Sequence, residues 1–544
     1  MNAAGDASAA GPSAATGTLS RFLHTVAQRA PSGSGLFMST EPEHGLGYQE
    51  LEHQVQRVAK SLDAMGLRPG DAFALWLPNC VEWFVLHFAA ARLGLVTVPL
   101  NTRYLVTEVR HLLTTSRARL LAIDPGFHGL DFAGAVEELV ADGSVPLEHV
   151  VTVGAGRCDV PHVPFAALLE PTAAAHGGEP GDQITEQTPL VVFGTSGTTS
   201  APKLALHPHS NVVRHSEAVR EGFGLTADDV VLGMLPPCGA YGYTVALAAM
   251  AAGARLVLLP TFDPVQLPEL VAEHGVTFLA ATEPILRTAL AEPAATAKLG
   301  SWRIGATAGG SVAEIVGLLD SGGTVLVNVY GASEALALTA FRDPVGDVAT
   351  RSVPGGRVAD PGLEVKAVHV DSGAPLPEGG SGELLFRGYC IFTEYLGNPA
   401  ATAAAFTEDG WYRSGDRGRV SDGGTVFEYQ GRLDDTLRLK GFLVDPAQIE
   451  ETLLTHPAVG ETQVVGVPDV ATGEDIAVGF VVPVPGQTVT GEELRSWCRQ
   501  RVAGYKIPGH VEIVAEIPTT PSANGDKALK RGLREAAAGL LGAN

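Results

Sequence analysis

The sequence has no apolar run near the roughly 20 residues that a membrane-spanning helix needs. Residues 1–17 are rich in Ala, Gly and Ser, and they lack both the basic start and the apolar stretch of a secretion signal. The sequence therefore predicts a disordered leader over residues 1–17, no membrane association and a cytoplasmic location.

Basic residues are also scarce, because 37 Lys and Arg stand against 60 Asp and Glu, for a formal net charge of −23. A surface of this sign argues against nucleic acid or an anionic membrane as a partner. The five cysteines are widely scattered, and no pair has metal-ligand spacing. Reduced structural thiols in a cytosol are the prediction.

Apolar helix and strand patterns alternate from residue 48 onward, which predicts an α/β fold of βαβ units with parallel sheets. A helix is predicted over Val81–Leu93. The predicted strands are Ala72–Leu77, Leu95–Leu100, Leu190–Phe193, Val230–Leu235, Arg255–Leu259, Thr277–Ala280 and Val325–Val329.

The chain of 544 residues is too long for one core, and its pattern changes twice more. Between 360 and 430 the segments shorten and gain Gly and Pro, which predicts a small distorted barrel. After residue 433 a compact α+β unit is predicted. The predicted domains are the leader (1–17), a large N-terminal domain (18–433) and a small mobile C-terminal domain (434–544), with the hinge at Asp434.

Residues 193–203 read Phe-Gly-Thr-Ser-Gly-Thr-Thr-Ser-Ala-Pro-Lys. Backbone N–H groups and short hydroxyls in such a loop can all point at one cluster of phosphate oxygens. It is not a Walker loop, because Thr199 rather than glycine stands five positions after Gly194. The candidate phosphate ligands are Thr195, Ser196, Gly197, Thr198, Thr199 and Lys203.

Further motifs follow the loop in order: Tyr330-Gly-Ala-Ser-Glu334, Tyr412-Arg-Ser-Gly-Asp416, Gly431-Arg-Leu-Asp-Asp435 and Asn524-Gly-Asp-Lys527. Together they resemble the adenylate-forming superfamily, which contains acyl-CoA ligases, stand-alone adenylation domains and luciferases. The resemblance extends over nearly the whole chain after the leader. It implies a bacterial acyl-CoA ligase, an AMP-forming acid–thiol ligase, with secondary metabolism as one setting.

The resemblance also implies the cofactors ATP/AMP, Mg²⁺ and coenzyme A. A carboxylic acid attacks the α-phosphate of ATP to give acyl-AMP and pyrophosphate, and the thiol of CoA then displaces AMP. By resemblance, Glu334 ligates Mg²⁺ and is catalytic, Tyr330 stacks on adenine, Ser333 lines the nucleotide, Asp416 accepts the ribose hydroxyls and Arg432 supports the nucleotide.

The same resemblance assigns the moving parts. Lys527 is the catalytic lysine of the first step, Asp434 is the hinge, and Lys440 and Gly441 line the CoA tunnel. His209 corresponds to a histidine near the acyl pocket and is a candidate catalytic residue. His207 has no counterpart role and is expected at the surface.

The predicted acyl pocket contains Cys238, Gly239 and Tyr241, with Gly309 and Gly310 on the facing loop. Small side chains there leave room for an acid bulkier than acetate, unless Tyr241 or Tyr243 fills the space. Amino-acid-activating members of the superfamily carry an aspartate in this stretch, whereas no acidic residue occurs here between Asp229 and Asp263. The resemblance therefore favours a plain carboxylic acid over an amino acid. Long-chain, aryl and polycyclic acids remain open.

Ser200 and Leu204 stand where the superfamily usually has glycine. A Cβ forced into an unfavourable backbone region costs about 1–3 kcal/mol, and Leu204 is expected to place apolar bulk beside phosphate. These changes favour a weakened ATP-dependent half-reaction, with a separate adenylating enzyme supplying acyl-AMP. The alternative is a loop that tolerates both changes, because Lys203 and most of its hydroxyls remain.

The acceptor and the assembly stay open. An acyl carrier protein is the alternative to free CoA, and the chain is predicted to be a monomer or a homodimer. A luciferase-like oxidoreductase and a non-catalytic adenylate-binding protein are disfavoured, the latter by the presence of Glu334, Asp416 and Lys527.

Overall fold

The predicted alternation of helices and strands is present in a computed structural model, which describes residues 17–141, 143–171, 183–195, 202–292, 294–310, 312–435, 437–439, 442–444, 446–468, 475–502, 504–520 and 527–542. The strands are β1 (Gly35–Met38), β2 (Glu41–Gly47), β3 (Ala72–Trp76), β4 (Val96–Pro99), β5 (Ala118–Ile123), β6 (His149–Thr152), β7 (Val163–Pro164), β8 (Pro189–Thr195), β9 (Lys203–Pro208), β10 (Val230–Gly233), β11 (Arg255–Leu258), β12 (Phe278–Thr282), β13 (Ile304–Ala308), β14 (Val325–Ala332), β15 (Leu336–Phe341), β16 (Gly355–Val358), β17 (Leu363–Val368), β18 (Ser381–Gly388), β19 (Glu394–Tyr395), β20 (Tyr412–Ser421), β21 (Val426–Arg432), β22 (Leu437–Leu439), β23 (Phe442–Val444), β24 (Val459–Pro468), β25 (Asp475–Pro483), β26 (His510–Ile513), β27 (Thr519–Thr520) and β28 (Lys527–Ala528).

The α-helices are α1 (Leu19–Arg29), α2 (Tyr48–Ala64), α3 (Val81–Leu93), α4 (Val106–Ser116), α5 (Phe132–Ala141), α6 (Phe165–Leu168), α7 (His209–Gly222), α8 (Ala240–Ala252), α9 (Leu267–His274), α10 (Glu283–Ala289), α11 (Ala313–Ser321), α12 (Val348–Ser352), α13 (Pro399–Ala405), α14 (Pro446–Leu454), α15 (Gly491–Arg499) and α16 (Lys530–Leu541). Every predicted strand overlaps an observed one, with ends that differ by up to three residues, and the predicted helix is α3. None of the helices in the described part of the chain has the length and apolar character needed to cross a bilayer.

The larger sheet is parallel in one half, apart from β2 at its edge, which pairs antiparallel with β1, and it is antiparallel in the other half. Its parallel strands lie in the order β1, β11, β10, β12, β13, β14. The carboxyl ends of parallel strands meet at one edge, where α/β proteins bind their ligands. The loops that follow β10, β12, β13 and β14 therefore lie along one edge of this sheet.

The antiparallel half continues from β14 through β15, β16, β21, β20, β18 and β17. It contains the strands of the segment 360–430 that was predicted to form a small distorted barrel, except β19, which pairs in the smaller sheet. Its β20–β21 pair places Asp416 opposite Arg432. This half therefore delivers the second group of candidate site residues.

The smaller sheet is built around the parallel strands β8, β4, β3, β5 and β6. Strand β9 folds back on β8, and β19 pairs with the outer side of β9. Helix α3 contacts β1 of the larger sheet and β4 of the smaller one. It is buried around nearly its whole circumference, as expected for a helix that is apolar on all sides.

The C-terminal part has its own secondary structure and its own core. Strands β24 and β25 pair antiparallel, and β26 adds parallel to β25. Ile449, Leu453 and Leu494 belong to an apolar cluster that is separate from the clusters of the N-terminal part. An α+β unit is therefore present, and the boundary between residues 433 and 434 remains a prediction.

Candidate active site

The predicted phosphate loop connects β8 to β9. The two strands form a hairpin in which Thr195 pairs with Lys203 and Gly194 pairs with Leu204. The hairpin fixes both ends of the loop, so Thr195 and Lys203 face each other across its base. The predicted ligands Ser196, Gly197, Thr198 and Thr199, together with Ser200, lie outside the described residues.

Contrary to the prediction, Leu204 does not place its side chain beside the phosphate loop. Its side chain is buried in an apolar cluster of the smaller sheet that also contains Val98, Val192 and Leu206. The residue sits in a ladder position opposite Gly194, and its φ is not positive. The strain and the apolar bulk expected beside the phosphates are therefore not found at Leu204.

The acidic motif packs directly against the phosphate-loop hairpin. The Ser333 hydroxyl donates a hydrogen bond to the Gly194 carbonyl over 3.3 Å. The Tyr395 hydroxyl donates to Oε1 of Glu334 at 2.7 Å, and Nζ of Lys203 lies 4.5 Å from the centroid of the Tyr395 ring. The structure thus brings together Lys203, Ser333 and Glu334, which are far apart in sequence.

His207 is fully buried, so its predicted surface position is wrong. Its Nε2 donates to the Ser333 carbonyl at 2.8 Å. Burial lowers the pKa of His207 to about 4, with the Ser333 bond opposing the shift. A neutral histidine here supports the backbone immediately before Glu334, and its position on β9, paired on both sides, explains the burial.

The predicted ribose site is a buried cluster of charge and hydroxyl. Asp416 is 4% exposed, and its Oδ1 accepts from Arg432 at 2.9 Å while its Oδ2 accepts from the Tyr330 hydroxyl at 2.5 Å. Burial raises the pKa of Asp416, while the charge of Arg432 and the Tyr330 bond lower it. The Tyr330 ring stacks on Phe386, with centroids 5.5 Å apart. The carboxylate is therefore oriented from both sides.

His209 is fully buried at the first position of α7. Its Nδ1 accepts a hydrogen bond from the Leu19 N–H at 3.0 Å, so the proton of the neutral ring sits on Nε2. Within the described residues Nε2 has no hydrogen-bond partner. Burial lowers the pKa of His209 to about 4. Its catalytic role stays a prediction.

The predicted acyl pocket is only partly as expected. Cys238 and Tyr241 are buried. A Cβ at Gly309 would lie 2.5 Å from Cβ of Glu283, whereas a Cβ at Gly310 would meet nothing within 4 Å. The volume expected at Gly309 is therefore filled by Glu283, while open space remains at Gly310.

The alternative fillers of the pocket have different environments. The Tyr243 hydroxyl and Nε2 of His87 share a hydrogen bond of 2.8 Å, which links Tyr243 to α3. The Tyr241 hydroxyl is buried with no hydrogen-bond partner in the described part of the chain. Gly239 precedes the first turn of α8. Of the two tyrosines, Tyr243 alone has a hydrogen-bond partner for its hydroxyl among the described residues.

Glu283 is an acidic residue that lies outside the interval 229–263, on which the prediction of a plain carboxylic acid was based. It begins α10 at the end of β12, and both Nε and Nη2 of Arg287 donate to its Oε1 at 3.0 and 2.9 Å. The carboxylate that packs on Gly309 is therefore paired with a cation.

The hinge and tunnel residues are described in part. Asp434 lies in a short 3-10 turn, Leu433–Asp435, and Lys527 begins β28. The Asp435 side chain accepts from Lys530 at 2.9 Å and from Arg534 at 2.8 Å. These bonds tie α16, which follows Lys527, to the turn that contains the predicted hinge. Lys440 and Gly441 lie outside the described residues.

Glu334 offers one carboxylate to a metal. No group of three or more His, Cys, Asp and Glu residues converges as a metal site in the ranges that the structure describes. Mg²⁺ is typically held by one or two carboxylates together with substrate phosphates and water. Glu334 beside the phosphate-loop hairpin fits that donor set, and among the described residues the hydrogen bond from Tyr395 engages Oε1 rather than Oε2.

Comparison with known families identifies the chain. Residues 24–396 match the family model of the AMP-binding enzymes, and residues 448–524 match the model of the AMP-binding enzyme C-terminal domain. The chain belongs to the AMP-binding enzyme family. The resemblance seen in the motifs is confirmed, and the protein is an AMP-forming acid–thiol ligase by class.

Two relatives illustrate the range of this AMP-binding family. A Rhodococcus jostii CoA ligase named for a methyl-dioxo-octahydroindenyl propanoyl group is 31% identical over 90% of this chain and 93% of its own length. Feruloyl-CoA synthase of an Amycolatopsis species is 32% identical over 89% of this chain and 94% of its own. Both are named as enzymes that join an acid to CoA.

Solved structures confirm the fold. ATP-bound MatB from Rhodopseudomonas palustris superposes with a TM-score of 0.82, covering 95% of this chain and 98% of MatB at 24% identity. A likeness at this identity shows the fold alone. The α/β architecture with a small C-terminal unit is that of known AMP-binding enzymes.

Proposed function

We propose that this AMP-binding enzyme activates a bulky, ring-bearing carboxylic acid and transfers it to coenzyme A. In the first half-reaction a carboxylate oxygen attacks the α-phosphate of ATP, and pyrophosphate leaves with the broken phosphoanhydride bond. In the second, the CoA thiol attacks the acyl carbon, AMP leaves and the thiol proton is released.

The observation that carries this proposal is the contact between the phosphate-loop hairpin and the acidic motif. Lys203 and Glu334 both contact Tyr395, so a cation and a carboxylate that could bind a metal lie beside the same side chain. Phosphoryl transfer needs positioning and electrostatic stabilisation more than covalent help from the protein. Bound Mg²⁺ would neutralise charge on the phosphates, and Glu334 would hold it.

The nucleotide would be held at its other end by the Asp416 cluster. Arg432 and Tyr330 each occupy one oxygen of Asp416, and each oxygen retains a second lone pair for a ribose hydroxyl. Adenine would stack against Tyr330. Because both ATP and acyl-AMP carry this ribose, the cluster would serve both half-reactions.

The C-terminal part would contribute differently to the two steps. Lys527 would contact the carboxylate and ATP during adenylation, then withdraw with its domain about the hinge at Asp434. Lys440 and Gly441 would line the path of the CoA thiol. The domain boundary at 433/434 is part of this proposal.

Two observations support a bulky acid. First, Cys238 and Gly239 are small residues, which leaves volume at the predicted pocket. Both relatives named above, at 31% and 32% identity, are named for acids that contain a ring. Arg287 compensates the charge of Glu283, so the pocket wall does not call for a cationic substrate.

The prediction of weakened adenylation now depends on Ser200 alone, because Leu204 is an ordinary core residue. We therefore propose that the chain catalyses both half-reactions, without a separate adenylating enzyme. Free CoA is the proposed acceptor, since both named relatives are CoA enzymes.

A two-part assay tests the proposal. ATP–pyrophosphate exchange is measured with a panel of acetate, long-chain, aryl and polycyclic acids, and acyl transfer from preformed acyl-AMP is measured with CoA and with a phosphopantetheinylated carrier protein. Exchange with a ring-bearing acid and transfer to CoA are expected. Transfer without exchange would restore the weakened-adenylation hypothesis, and a preference for the carrier protein would contradict CoA as the acceptor.

A further inference from the structure

Tyr395 lies between the two charged groups of the candidate site. It belongs to β19, where it pairs with Ala205 of β9, two residues after Lys203. Its neighbours continue that pairing, since the Leu396 N–H donates to the Leu204 carbonyl at 2.9 Å. The residue is 4% exposed, so its ring is held rigidly beside the phosphate-loop hairpin.

The side chain of Tyr395 makes two contacts of opposite electrostatic character. Its hydroxyl donates to Oε1 of Glu334 at 2.7 Å, and its ring face receives Nζ of Lys203 at 4.5 Å. A cation over a tyrosine ring is attracted by the negative face, and a hydroxyl bond to a carboxylate is a charge-assisted hydrogen bond. One aromatic side chain therefore holds an anion and a cation at a set distance.

The hydroxyl remains a donor because burial, and next the charge of Glu334, raise the pKa of Tyr395 well above its ordinary value. A carboxylate fixed through Oε1 presents Oε2 in a defined direction. A lysine resting on a ring samples fewer rotamers than one in solvent. Both groups are thus oriented before any nucleotide binds.

We propose that Tyr395 is a positioning residue for MgATP, which sets Glu334 and Lys203 in place for the adenylation half-reaction. The inference deepens the proposed function and rests on it. Acyl-AMP and CoA transfer do not involve the β- and γ-phosphates, so the second half-reaction should not need this bridge.

Two substitutions separate the contacts. Tyr395→Phe removes the hydroxyl bond to Glu334 and keeps the ring beneath Lys203, whereas Tyr395→Leu removes both. Tyr389→Phe is a matched control, because the Tyr389 hydroxyl bonds Nδ1 of His215 at 2.8 Å and its ring lies 4.5 Å from the Arg214 guanidinium.

The primary readout is the Kd for MgATP, measured by isothermal titration calorimetry without the acid, with Mn²⁺ binding measured by electron paramagnetic resonance. Tyr395→Phe is expected to weaken MgATP binding about tenfold, the loss of one hydrogen bond to a charged group. Tyr395→Leu should weaken it further. In both variants CoA transfer from preformed acyl-AMP should stay near wild type, and Tyr389→Phe should leave the Kd unchanged.

The outcomes distinguish this inference from the proposed function. If wild type binds MgATP and Tyr395→Phe binds it equally well, the inference fails while the proposed function stands. Equal losses in both half-reactions would reduce Tyr395 to a structural residue and also overturn the inference. If wild type binds MgATP but none of the acids in the panel supports pyrophosphate exchange, the proposed function fails. The MgATP titration still decides the role of Tyr395 in that case.

Discussion

A single buried carboxylate, Asp416, stands where both half-reactions would hold the nucleotide. Arg432 and Tyr330 compensate its burial through one bond to each oxygen. A carboxylate arranged in this way accepts further hydrogen bonds without reorganising, which is what a ribose diol requires. Its loss should therefore affect every nucleotide state of the enzyme.

Asp416→Asn is expected to weaken ATP and a stable acyl-AMP analogue alike, by about tenfold or more, because an amide loses the charge-assisted bonds. Calorimetric titration of both ligands measures this. Glu383→Gln is the matched control, since Glu383 is also a buried carboxylate, paired with Arg413 at 3.3 Å on the same sheet. Equal weakening in the control would mean that general destabilisation, rather than ribose binding, explains the loss.

Gly309 and Gly310 should respond differently to the same small change. Gly309→Ala is expected to lower both the melting temperature and the adenylation rate, because the new methyl group would lie 2.5 Å from Cβ of Glu283. Gly310→Ala should leave stability unchanged, because Gly310 is exposed and its new methyl group would meet nothing within 4 Å. A shift towards smaller acids is expected from the predicted place of Gly310 in the acyl pocket. Thermal unfolding and exchange with the acid panel measure both. Identical behaviour of the two variants would contradict this assignment of the pocket wall.

At this scale the sequence identified the residue types of the site but not all of their partners. His207 was expected at the surface because the family resemblance gives it no role, yet pairing of β9 on both sides buries it. Tyr395 gave no signal, since its role depends on contacts with residues 61 and 192 positions away. Such contacts follow from tertiary packing, which one-dimensional spacing does not contain.

The elements were predictable wherever hydrophobic periodicity was strong. Helix α3 has the predicted bounds, and β3 and β4 agree to within their ends, because continuous apolar runs between turn residues are typical of buried parallel strands. Leu204 was misjudged for the opposite reason. It was considered only as part of a loop motif, whereas the strand pairing that begins at Lys203 turns its side chain into the core.

The proposed hinge at Asp434 belongs to the scale of elements, because it lies in the turn Leu433–Asp435, between β21 and the C-terminal part. Asp434→Pro is expected to impair one half-reaction at least tenfold more than the other, since proline fixes φ and so holds one domain orientation. Pyrophosphate exchange and CoA transfer from preformed acyl-AMP, measured on the same preparation, give the ratio. A parallel loss of both activities, or no loss, would place the hinge elsewhere.

At the scale of the whole molecule, several histidines are buried, and their contribution to the free energy of unfolding depends on pH. Burial lowers the pKa of His87 to about 3 and of His207, His209 and His215 to about 4, all below the value of about 6.5 for an unfolded chain. Between these values the unfolded chain binds more protons than the folded one. The free energy of unfolding therefore falls as pH drops from about 6.5 towards 4. Over this whole range each histidine accounts for about 3 kcal/mol of the loss.

Urea unfolding at pH 7.5 and pH 5 tests this pH dependence. The urea concentration at the midpoint of unfolding should be clearly lower at pH 5. At that pH, His207→Leu should reduce the number of protons taken up on unfolding by close to one. The same free energy of unfolding at both pH values would show that these rings are already accessible to protons in the native state.

Two defective variants should together do what neither does alone, if the molecule alternates between two arrangements of its C-terminal part. Lys527→Ala should abolish adenylation and spare CoA transfer, because the carboxylate and ATP meet only in the first step. Gly441→Trp should spare adenylation and block the path of the CoA thiol, because only glycine lets the backbone lie so close to the proposed tunnel.

In a mixture supplied with acid, ATP and CoA, acyl-AMP released by Gly441→Trp should be converted to acyl-CoA by Lys527→Ala. The expected product rate rises with the concentration of Lys527→Ala until release of acyl-AMP is limiting. If both substitutions damaged the same half-reaction, or if the mixture made no more acyl-CoA than either variant alone, one fixed arrangement would have to serve both steps.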